Sequence, residues 1–307
     1  MPKVMLSSAL LALVTSAAFA QVNEEMIARV AAGEVTEARA SWWGFDEEDS
    51  TEALQAAIDS GAPKLIVENM GRPWIVRPLL LASNQEITFE EGCELLAKRG
   101  EYKGTNETLM TARDVENVVL RGEPGATFRM WKQDYDNPEL YQKGEWRHCL
   151  SLRGARNIEI DGLTLMSSGG DGIYLGTGPE GSTNTDITIR NVICDDNYRQ
   201  GISIITAENL LIEDTIMRNT FGTPPQAGID FEPNNPAERL VNVTMRNCLT
   251  ENNNSYGYVL AISPLNATSQ PISMRFENCR SVNDAGPGFS YNAGAPSRPP
   301  WMASWSS

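Results

Sequence analysis

The chain has 307 residues, of which 41% are hydrophobic and 21% charged, enough for one large domain or two ordinary ones with a sizeable core. Its net charge of −15 excludes a nucleic-acid binder, which needs a basic footprint. The same charge makes an anionic polymer an awkward partner unless Arg, Lys or a bound cation reverses the local field. Five cysteines (Cys93, Cys149, Cys194, Cys248, Cys279) are too sparse for a disulfide framework.

Residues 1–20 read as a secretory signal. Lys3 supplies the positive start, Met5 to Val14 the apolar stretch, and Ala18-Phe19-Ala20 a small-x-small cleavage site. That run is too short to span a membrane and no later one is longer, so a secreted or periplasmic protein is expected. Residues 21–115 then hold an arm, a capping helix and the first coils. Asn23 to Ala40 has weak helical character. Ser50–Gly61 is a convincing helix, capped by Ser50 or Thr51, apolar at Leu54, Ala57 and Ile58, and stopped by Gly61. It suits the covering of an open sheet end.

The regular part spans residues 116–292. Short strands recur after Gly172, Gly201, Gly228, Gly257 and Gly288, spaced 29, 27, 29 and 31 residues (201−172, 228−201, 257−228, 288−257). Repeats of that length without helical pattern predict coils stacked as parallel strands. Cys149-Leu-Ser-Leu fits one coil earlier. The coil register predicts an inward stack of Ile160, Ile189, Ile212, Met245 and Phe276. Beside it runs a structural polar column of Asp161, Asn191, Asp214, Asn247 and Asn278. Cys248 and Cys279 fall at equivalent places, as stacked thiols or, alternatively, a disulfide. Residues 293–307 form an irregular tail with three prolines and no cap for the far end, so the chain reads as truncated there.

On the recurrent strand, Leu150/Leu152, Ile173/Leu175, Ile202/Ile204 and Ile229/Phe231 are predicted inward. Ser151, Tyr174, Ser203 and Asp230 form an outward ladder on an exposed face, with Glu232 beyond. His148, Asp171 and Arg199 fall just before these strands. The insertion Met130–Trp146 is long enough to overhang a groove. Its Trp131, Tyr135, Tyr141 and Trp146 either stack on sugar rings or pack on one another.

Asp49–Ala97 resembles the opening of pectin-lyase-like proteins: a helix, then strands, then the run Pro78 to Ala97. With the repeats, the resemblance implies an all-β, single-stranded right-handed parallel β-helix with an N-terminal capping helix, and a polysaccharide as partner. Ser168-Gly-Gly-Asp171-Gly-Ile-Tyr-Leu and Arg199-Gln-Gly-Ile-Ser-Ile are similar to consecutive-coil motifs of polygalacturonase-type hydrolases. By that resemblance Asp171 matches the general-acid aspartate, Gln200 stands where the family has His, and His148 where it has another Asp. Asp230 or Glu232 is then left to supply a base. Uronate lyases and epimerases of this fold imply instead Arg199 as carboxylate neutraliser and His148 or Tyr174 as base. Asp171, Asp230 and Glu232 become possible calcium ligands. A non-catalytic sugar-binding or adhesin-like β-helix is the alternative from another class.

Overall fold

The computed structural model describes residues 21–293. The predicted signal at 1–20 and nearly all of the predicted tail lie outside them. The chain winds as a right-handed parallel β-helix with three sheets of 9, 8 and 8 strands. One coil reads Arg156–Asp161, Thr164–Met166, Ile173–Gly176, and the next begins at Asn184–Arg190. These strands belong in turn to a long sheet, a third sheet and a sheet carrying the candidate site.

Each strand pairs with its equivalent one coil away, so equal positions stack. Ile160 pairs with Ile189, Ile212 with Met245, and Met245 with Phe276, all but Phe276 buried. In the site sheet Ile173, Ile202 and Ile229 stack in one interior column. Fully burying such a side chain contributes about 1.5–3 kcal/mol, repeated in every coil.

The corners are turned by single residues in the left-handed region. Asn191, Asp214, Asn247 and Asn278 have φ of 53°, 49°, 54° and 50° where the long sheet passes into the third. Asn and Asp tolerate this backbone better than other non-glycine residues. Their side chains also bond from coil to coil: Asn191 Nδ2 to Asp161 Oδ1 (2.8 Å), Asn247 Nδ2 to Asp214 Oδ1 (3.1 Å), Asn278 Nδ2 to Asn247 Oδ1 (2.9 Å). Four members of the predicted column are therefore corner residues with a hydrogen-bonding second duty; the fifth, Asp161, lies one residue off, since it pairs with Arg190 in the strand and Gly162 turns that corner. Similar ladders, unforeseen, join Asn84, Asn117 and Asn157 and join Asp186, Asn209 and Asn242.

The outer face of the long sheet carries a second stack. Arg121, Asp161, Arg190, Glu213, Arg246 and Glu277 stand in register and alternate in sign. Asp161 Oδ2 lies 2.7 Å from Arg121 Nη1 and 3.2 Å from Arg190 Nε, and Glu213 Oε2 lies 2.8 Å from Arg246 Nη2.

The first end differs in detail from expectation. The helix within Asn23 to Ala40 covers only Glu24–Ala31; Glu37–Arg39 is already the first strand of the long sheet. The capping helix is Thr51–Ile58, with Leu54, Ala57 and Ile58 buried. Its start is not capped by Ser50, whose hydroxyl bonds to the Asp46 backbone instead; Asp49 Oδ1 accepts the Thr51 N–H at 3.1 Å. The five cysteines are free. A hydrogen bond from Cys248 holds the half-buried Cys279 thiol down to about 6, while the same contact and burial push Cys248 up.

Candidate active site

The site lies on the outer face of the site sheet, where Ser151, Tyr174, Ser203 and Asp230 stand in register as predicted. The ladder is not an open surface, however. Ser151 and Ser203 are fully buried, Asp230 is 1% exposed, and His148, Asp171 and Gln200 beside them are also buried. Side chains from the strand ends cover the strand middles, which single-strand alternation does not reveal.

His148 and Asp171 meet across one coil. His148 Nδ1 accepts the Asp171 backbone N–H at 3.0 Å, which places the ring proton on Nε2. Asp171 Oδ2 also approaches Nδ1, at 3.2 Å. That is a close approach of two acceptors, turned into a hydrogen bond only when a proton sits between them. Both Asp171 oxygens and His148 Nε2 lack a hydrogen-bond partner. The His148 ring lies on Tyr174, centroids 4.5 Å apart and 5° from parallel, and the Arg153 guanidinium is 4.9 Å from the Tyr174 ring. Burial raises the Tyr174 phenol, with Arg153 opposing and Asp171 adding to the shift.

Arg199 joins the remaining acids. Its Nη2 donates to Glu232 Oε2 at 2.8 Å, and its Nη1 to Ser203 Oγ at 3.3 Å while lying 3.7 Å from Asp230 Oδ2. Burial pulls the guanidinium pKa down, but Asp171, Asp230 and Glu232 outweigh it and hold the charge firmly. Asp230 is the opposite case. Burial drives its carboxyl well above the usual carboxylate range, Arg199 opposes, and Glu232 and Asp171 push it further up.

Gln200, at the place where the resemblance has His, braces this acid. Its Nε2 donates to Asp230 Oδ2 at 2.5 Å and its Oε1 accepts the Ala227 N–H at 2.9 Å. Asp230 Oδ1 and Arg199 Nε remain without hydrogen bonds. The six predicted residues thus form one connected patch. Two members were missed: Gln200 as a brace, and Glu145, brought by the insertion to 3.9 Å from Arg199 Nε. The clue to Glu145 was its position three residues before His148.

One expectation is corrected, and one pair of alternatives is decided. Among the described residues no group of three His, Cys, Asp or Glu side chains is placed to hold a metal ion. The Arg199 guanidinium serves Asp230 and Glu232 where calcium ligation was expected, so these acids and Asp171 share an organic cation. Most of the insertion's aromatics are also unavailable to sugars. Tyr135 and Tyr141 pack edge to face at 4.9 Å, buried, with the fully buried Arg147 guanidinium 5.3 and 5.5 Å from their rings. Trp131 bonds to the Ala97 carbonyl and lies beneath Arg99 and Arg129. Trp146 alone of the four is exposed, at 46%.

A family model described as "right handed beta helix region" matches residues 143–299, just over half of the chain. The chain belongs to the right-handed β-helix family. An uncharacterized protein of Bacillus subtilis, YclG, is 31% identical over 146 residues, 43% of this chain but 24% of its own length. Among solved β-helices, the pre-mature bacteriophage phi29 gene product 12 superposes with a TM-score of 0.61 at 18% identity. It covers 85% of this chain and 35% of that one. A family 28 exopolygalacturonase of Yersinia enterocolitica gives a TM-score of 0.55 at 13% identity, covering 84% and 65%. At such identities the likeness is one of fold. No helix among the described residues is long and apolar enough to cross a membrane.

Proposed function

We propose that the protein is exported and hydrolyses a glycosidic bond of a polysaccharide lying over the site sheet. The observation that supports this most is the pair of buried carboxyl groups, Asp171 and Asp230, with unpartnered oxygens and both acting on the Arg199 charge. Two carboxyls in unlike environments are what acid–base cleavage of an acetal needs. In this reading Asp230, kept protonated by burial, gives its proton to the leaving oxygen. Asp171, whose oxygens are unpartnered, draws one from the attacking water. Arg199 and Glu232 position the acids, and Tyr174 backs the His148 ring. The naming of the exopolygalacturonase, together with its shared fold, fits a polysaccharide as substrate.

Elimination from a uronate is less well supported. It needs a free cation at the substrate carboxylate, and Arg199 already has Glu232 at 2.8 Å, Asp230 at 3.7 Å and Glu145 at 3.9 Å. The test is incubation of the chain from Gln21 with neutral, uronate and sulfated polysaccharides, with and without calcium. New reducing ends without unsaturated-uronate absorbance, lost in Asp230→Asn, are expected. Absorbance rising with the reducing ends makes it a lyase. A folded sample that binds a glycan and releases no ends makes it a binding module.

A further inference from the structure

The outward positions of the site sheet continue past the catalytic patch toward the N-terminal coils. There Arg153 stands in register with Arg113 on the neighbouring strand, in a sheet whose strands lie about 4.8 Å apart. Like charges directly opposite destabilise a strand pair. Elsewhere Arg121, Arg190, Arg218 and Arg246 each have a carboxylate within 4.0 Å. Arg113 and Arg153 have none among the described residues. The nearest acid in sequence, Asp114, is directed to Arg156 at 3.9 Å.

The pair is also seated beside the patch. Arg153 touches the Tyr174 ring, and Arg153 pairs in turn with Gly176, the next outward position. A Cβ at Gly176 would collide with that ring, coming within 2.8 Å of Cζ, so the glycine lets Tyr174 lie down along the groove toward the arginines. On this outer face the two cations therefore stand two residues along the strands from the column of Ser151, Tyr174, Ser203 and Asp230, with the Tyr174 ring between and Asp230 three strands from Arg153.

We propose that Arg113 and Arg153 form a subsite for an anionic substituent, a carboxylate or sulfate, on the glycan whose cleavage was proposed above. On that reading the polymer carries negative charge several units from the scissile bond, and the sugar at the acid-lined centre is held without a cation of its own. The two guanidiniums supply the local reversal of field that an acidic protein needs to accept an acidic polymer. The ligand relieves the repulsion between them.

The test separates binding from turnover. Calorimetric titration of Asp230→Asn, which keeps the groove intact, uses three probes: hexagalacturonate, its carboxyl-reduced neutral counterpart, and a sulfated galactan hexamer. One anionic probe is expected to bind more tightly than the neutral one, and which one identifies carboxylate or sulfate. In the added presence of Arg113→Gln or Arg153→Gln, its affinity falls roughly tenfold per substitution. Its salt dependence weakens too, while neutral binding stays the same. Equal losses for charged and neutral probes, or no loss, overturn the subsite. Because the readout is affinity, a protein that binds as expected and cleaves nothing refutes the hydrolase reading alone.

Discussion

Asp230→Asn isolates the buried acid from the rest of the site. The wild-type carboxyl, 1% exposed, is raised well above its ordinary 3.8 by burial, so the folded chain holds this proton more tightly than the unfolded chain. For an acid shifted upward, the stability contribution is complete below about 3.8 and is lost as pH climbs toward the folded pKa. The loss approaches about 1.4 kcal/mol per pH unit, the value of one proton, anywhere inside that window. The asparagine has no proton to lose and still offers an oxygen to Gln200 Nε2. Urea unfolding of both proteins at successive pH values from about 4 upward should show the variant gaining on wild type with that slope. Parallel curves across this range would falsify the assignment of Asp230 as a neutral buried acid. The same variant should lose about 10²–10⁴-fold in kcat, because the proton donor is gone.

Other perturbations probe the scaffold and the groove separately. Ile202→Ala empties a fully buried place between Ile173 and Ile229, and should cost about 2–5 kcal/mol in unfolding experiments. Gly176→Ala should displace the Tyr174 ring from His148 and Arg153, and a loss of about 1–2 kcal/mol in urea unfolding is expected from the ring contacts given up. Arg190→Glu sets an acid between Asp161 and Glu213, and should destabilise by about 1 kcal/mol at low salt and far less at about 1 M. Mass spectrometry after brief alkylation near neutral pH should find Cys279 modified first, given its thiol at about 6, with Cys248 protected; uniform labelling would contradict the paired-thiol geometry.

The fold was legible because a solenoid writes its register into the sequence. Ile173, Ile202 and Ile229 sit one place after their glycines, and in three dimensions they form one column. The site was legible as a set of positions and less so as an environment. Asp171, Arg199 and Asp230 gather as their places in the coil predict, but whether the ladder is wet or dry depends on side chains from strand ends and the insertion. No periodicity marks Arg147 as fully buried among Tyr135 and Tyr141, where its Nε and Nη2 donate to the Tyr102 and Gln142 carbonyls. Gln200 looked like a missing histidine and is a brace. The left-handed Asn and Asp corners were half visible, one ladder of several, because a turn residue and a stacking residue look alike in a single coil.

The alternating column on the long sheet carries a consequence for how the coils are counted. Arg121, Asp161, Arg190, Glu213, Arg246 and Glu277 form a two-letter code in which each winding must meet one of opposite sign. A chain that skipped one winding during folding would bring arginine onto arginine or acid onto acid. Skipping two restores the match. The column thus works as a parity check, and the solenoid can lose or gain windings at little electrostatic cost only in pairs.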